Sequence, residues 1–188
     1  MYSFLAFTLA QRLLRLKLSI KQSSNIVSGT HAAGAIVLCK NYFYNKGTYK
    51  LINHFSTGYF LYDILHMLTT KKLSLLQGAY IYHHLAAITV LNRTTRQTLI
   101  AKIFFWGELS NLPSYPLYYY LHKEGNYKQQ IFWLRLMQKC LYISIRVPLF
   151  SKFLYDAFHN KTMPKTELQV LAPVYLMGII WSFKIITQ

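Results

Sequence analysis

The stretch LINHFSTGYFLYDILHMLTT, residues 51–70, decides the fold. Its twenty residues hold one formally charged side chain, Asp63. About 20 largely apolar residues are what an α-helix needs to cross the hydrocarbon core of a bilayer. Clean two-residue alternation is absent, and a lone strand would leave backbone groups unpaired in lipid. The stretch therefore predicts a membrane helix. At about 100° per residue, Tyr59, Tyr62, Asp63 and His66 share one side of it. Asp63 and His66 stand three apart, close enough to touch. Ionisable groups inside a bilayer are costly and turn toward protein or water. One face of this helix should then look onto a polar interior.

Working outward, the pattern recurs. Apolar segments near 26–44, 51–70, 73–92, 97–121, 129–154 and 168–187 predict an all-α membrane bundle of about six helices around a central cavity, in a single domain. The first follows a polar stretch, Lys21 to Asn25, and carries His31. The third holds the pair His83-His84, and the fourth holds Lys102 and Glu108 before Pro113 and Pro116 break or kink it. The fifth contains Arg135, Lys139 and Arg146, within roughly 60° of one another together with Tyr142 on a regular helix. That basic stripe should not face lipid tails. The sixth carries Pro173 and, near its end, Lys184. Residues 1–20 are interrupted by Arg12, Arg15 and Lys17, which predicts a shortened span or a helix lying in the interface.

The chain of 188 residues has 21 Lys and Arg against 5 Asp and Glu, a net charge of +16. The cations fall mostly between apolar runs, where they would meet anionic headgroups. Membrane lipid is the partner this implies, and nucleic acid is not. Loop cations give a small excess to the side of the N-terminus (Arg12, Arg15, Lys17, Lys21, Lys71, Lys72, Lys123, Lys128) over the other side (Lys46, Lys50, Arg93, Arg96, Lys161, Lys165). Tyr118, Tyr119 and Tyr120 suit an interfacial belt. Cys39 and Cys140 lack CxxC spacing, and no HExxH or HxxHH is present, so neither a metal nor a resident cofactor is indicated. Oligomeric state is left open.

The polar residues of the spans are the candidate site. Asp63, His66, His83, His84 and Glu108 should converge, with Tyr59, Tyr80, Asn111 and Arg146 beside them. Two readings follow. The cavity holds a lipid head, through Tyr59, His66, Tyr80, Glu108, Asn111 and Arg146. Alternatively His83 or His84, oriented by Asp63, serves as general base or nucleophile in acyl transfer from acyl-CoA to a lipid amine or hydroxyl.

These same residues resemble the TLC-domain family of membrane proteins. Val27-Ser28-Gly29-Thr30-His31-Ala32 is similar to its opening helix, and residues 58–67, GYFLYDILHM, to its second. Tyr82-His83-His84-Leu85-Ala86-Ala87-Ile88 resembles the paired-His helix, Glu108-Leu109-Ser110-Asn111 the glutamate motif, and Arg146-Val147-Pro148 a late Arg motif. The likeness spans roughly residues 25–187. It implies a bundle of about six helices, often in the endoplasmic reticulum, and an effect on membrane lipid composition or homeostasis. Ceramide synthases of this family place an Asp seven residues before the paired His; here Leu76 stands there, and a second His-His is missing. The resemblance is thus to the small non-synthase members.

Overall fold

Ser19 and Gln22 cap each other reciprocally, and Ser74 and Gln77 do the same, so two of the long helices begin where their first free N–H groups find acceptors. The computed structural model describes residues 2–45, 47–70, 74–159 and 164–187. Lys46, Lys71, Lys72 and Lys161, counted above among the loop cations, lie outside them. The described residues are helical and contain no strand. In chain order they form α1 (Tyr2–Leu14), α2 (Ile20–Tyr44), α3 (Tyr49–Thr70), α4 (Leu75–Arg93), α5 (Gln97–Asn111), α6 (Ser114–Leu121), α7 (Lys128–Leu141), a π turn (Tyr142–Arg146), α8 (Val147–His159) and α9 (Lys165–Thr187).

The expected segments map onto these with informative differences. The first helix begins at Ile20, because the Ser19 cap draws the polar stretch 21–25 into it. Ser23 is fully buried there and accepts from Gln11 Nε2 at 3.0 Å. The fourth segment is two helices, broken at Leu112-Pro113. The fifth is one rod built from α7, the π turn and α8.

The rods close a ring. α2 packs on α3, α3 on α4, α4 on α9, α9 on the α7–α8 rod, that rod on α5 and α6, and these on α2. α1 lies outside the ring against α3 and α2. Phe7 fixes it there, its ring 5.3 Å from those of both Phe55 and Tyr59, and Ser3 Oγ donates to His54 O at 2.7 Å. Gly58 allows the approach: a Cβ there would collide with Ser3 Oγ and stand 2.7 Å from Phe4 N. α1 packs on α3 with Leu5, Leu9 and Leu13 exposed on its free face.

By length and composition, one helix among the described residues, α9, is apolar enough to cross a bilayer alone. α1 and α5 to α8 run 8 to 15 residues each, shorter than a span, and α2, α3 and α4 are long enough but less apolar.

Candidate functional site: a polar chamber inside the ring

The ring encloses a chamber of about 410 Å³. α3 contributes Tyr59, Phe60 and Asp63; α4 contributes Leu76, Tyr80, His83 and His84; α5 contributes Glu108 and Asn111. Across from them stand Tyr115 and Tyr118 of α6, Gln138 of α7, Tyr142 and Arg146 of the π turn, and Trp181 and Lys184 of α9.

Asp63 and His84 meet across two helices: Oδ2 lies 3.0 Å from Nε2. Helical spacing puts His84 about 100° from His83, so α4 can aim one imidazole at α3 and the other toward α9. His83 packs edge-on against Trp181, ring centres 6.1 Å apart, and Tyr80 stacks on the same indole at 4.8 Å. With Nε2 of His84 committed to the carboxylate, its Nδ1 is buried without a hydrogen-bond partner, as is Nδ1 of His83.

A second cluster centres on Arg146. Its Nε donates to Ser110 Oγ at 2.9 Å, and Nη2 donates to Asn111 Oδ1 at 2.9 Å and to Gly107 O at 3.3 Å. Tyr142 OH also donates to Asn111 Oδ1, at 2.8 Å, and the guanidinium lies over the Tyr142 ring, 4.9 Å from its centre. Tyr59 joins the wall through its OH, which donates to Ser28 Oγ at 2.7 Å, and through its ring, stacked on His31 at 3.9 Å. His31 Nδ1 is 4.0 Å from Glu108 Oε1, behind the chamber wall.

Beside Arg146 lies a separate apolar slot of about 90 Å³. The slot shares Phe60, His83, Glu108, Asn111 and Arg146 with the chamber and adds Ile103, Phe150, Leu171 and Val174. A further apolar recess of about 60 Å³ reuses Ile103, Phe150, Leu171 and Val174, between α5, α8 and α9.

Of the expected site residues, Tyr59, Asp63, Tyr80, His83, His84, Glu108, Asn111 and Arg146 line this chamber. His66 does not; its Nε2 is hydrogen-bonded to Ser24 Oγ at 3.0 Å. The basic stripe also divides. Arg135 is exposed, and Lys139 sits at the edge, where Nζ donates to Ile186 O at 3.2 Å. The cause is the π turn, whose wider winding breaks the 100° phase between Lys139 and Arg146. Gln138 takes the inward position instead, donating to Ser114 Oγ at 2.8 Å. Tyr118, read as a belt residue, lines the chamber too. Gln138, a polar residue in an apolar run, was a signal available in the sequence.

Among the described residues no group of three or more His, Cys, Asp or Glu side chains is gathered as metal ligands would be. The chain matches no family profile, no curated protein and no solved structure.

Proposed function

We propose that this chain is a multi-pass α-helical membrane protein of TLC type, which holds a lipid in the ring's polar chamber and influences membrane lipid composition, with the endoplasmic reticulum as its expected site. One observation carries the reading: large apolar side chains face outward while ionisable ones are buried. Ile180 and Phe183 of α9 are 64% and 67% exposed, and Leu9, Leu65, Phe132 and Trp133 likewise face outward. Glu108 and Arg146 are 8% and 6% exposed, and Ser110, His31 and Gln138 are as deeply buried. In water, both halves of this arrangement are costly. In a bilayer, apolar side chains outside and ionisable ones turned inward are the ordinary arrangement.

Two measurements test it. Carbonate-washed membranes are expected to retain the protein. Of glycosylation acceptors placed at residues 94–96 and at 122–127, one set should be modified and the other not, because only the luminal face is glycosylated. Release by carbonate would sink the reading. Lipid extracted from the purified protein, and a shifted host lipidome on its loss, test the lipid half.

A second reading has its own observation. The His84–Asp63 pair faces the polar chamber, the arrangement of a carboxylate-held general base. It would serve acyl transfer from acyl-CoA to a lipid amine or hydroxyl. Membranes given labelled acyl-CoA and acceptor are then expected to form product, and the His83→Ala/His84→Ala double variant to lose it by 10²-fold or more, on the order general-base catalysis supplies. Equal product from both excludes this chemistry.

A further inference from the structure

We infer that the chamber takes the anionic head of a lipid, a carboxylate or a phosphate, on the guanidinium of Arg146. The inference rests on the lipid-binding reading above and specifies the ligand.

Arg146 is a buried cation held entirely by neutral acceptors: a hydroxyl, an amide oxygen and a backbone carbonyl. Among the described residues no carboxylate comes within 4.0 Å of it. Guanidinium does not deprotonate in proteins, and a buried charge without a counter-ion is expensive. The chamber's own acids make no ion pair with Arg146, and Glu108 reaches it only through space. Asp63 is engaged by His84, and Glu108 is turned toward His31. None of the three bonds uses Nη1, which lies toward α9, where a Cβ on Gly178 would stand 3.7 Å away. Lys184 lines the same chamber, so an entering anion meets two cations.

The second argument is position. Arg146 lines both the polar chamber and the apolar slot, with Phe150 beside the guanidinium at 5.6 Å. A head bound there has apolar side chains, Ile103 and Val174, on the far side of Arg146. Guanidinium matches carboxylate and phosphate through paired N–H donors.

The test is competition for a labelled single-chain lipid on the purified full chain in neutral detergent. Competitors are a fatty acid, a 1-acylglycerol phosphate and an uncharged monoacylglycerol of equal chain length. The two anionic lipids are expected to bind about 10-fold or more tighter than the neutral one, the scale of a charge-assisted bond in a dry site. The tighter of the two identifies the head. Arg146→Gln should shrink that preference to under roughly 3-fold. Gly178→Leu leaves the three Arg146 bonds in place, crowds Nη1, and should weaken anion binding more than neutral binding; it decides the matter if Arg146→Gln fails to fold. Equal affinity for neutral and anionic lipids, or an undiminished preference in both variants, overturns the head assignment and leaves the lipid chamber standing. Failure of all three lipids to bind overturns the chamber reading itself.

Discussion

Asp63→Ala is expected to cost the fold about 2–3 kcal/mol, one of the two largest effects predicted for any single substitution in this chain. The carboxylate sits 3.0 Å from His84 Nε2 between α3 and α4, and both side chains are mostly withdrawn from solvent. Deleting it removes the partner of His84 and leaves a buried ring nitrogen unsatisfied. Its other nitrogen already lacks a partner, so the imidazole cannot compensate by turning over. Breaking a fully buried pair costs about 3–5 kcal/mol, and the residual exposure of Asp63 lowers the figure. Asp63→Asn keeps a carbonyl acceptor for the same N–H and should cost less than half as much. The measurement is thermal unfolding in detergent of the two single variants, His84→Ala and the double Asp63→Ala/His84→Ala. A coupling of about 1–3 kcal/mol is expected from the cycle. Strict additivity would show that the contact is incidental.

Gly58→Leu should have a comparable effect by a different route. Even a single Cβ at Gly58 runs into Ser3 Oγ and the backbone nitrogen of Phe4. Backbone on one side and a hydrogen-bonded hydroxyl on the other leave little room to yield. Overpacking costs about 1–3 kcal/mol. Relief requires α1 to move off α3, which also gives up the Phe7 contacts with Phe55 and Tyr59. A chain of this size loses about 2–4 °C per kcal/mol, so a fall of roughly 5–10 °C is expected. Limited proteolysis should then cut within residues 12–18 of the variant and spare the wild type. An unchanged profile and melting temperature would mean that α1 does not pack on α3.

The expected helices appeared because their signal is local: long apolar runs, and prolines at 113 and 116, while the Ser19 cap that starts the first helix at Ile20 went unread. Eight of the nine expected site residues share one chamber for the same reason, since the period of 3.6 puts Asp63, His83 and Glu108 on definable faces. What escaped was non-local. His66 is on the right side of α3 by angle, but Ser24 of α2 lies across from it and engages it. No residue in YISIR announces a π turn, so the regular projection kept Arg135 and Lys139 in register with Arg146 and left Gln138 out. Trp181 and Tyr115 are chamber residues because α9 and α6 arrive at particular rotations, which neighbouring rods set.

The order of rods around the ring differs from their order along the chain. α9 comes last in sequence yet stands between α4 and the α7–α8 rod. During synthesis, α4 therefore waits with Tyr80 and His83 uncovered until more than seventy further residues have been made. That helix is also the one long and apolar enough, by composition, to cross a bilayer. Until it has been made, the chamber lacks the wall that Trp181 and Lys184 supply.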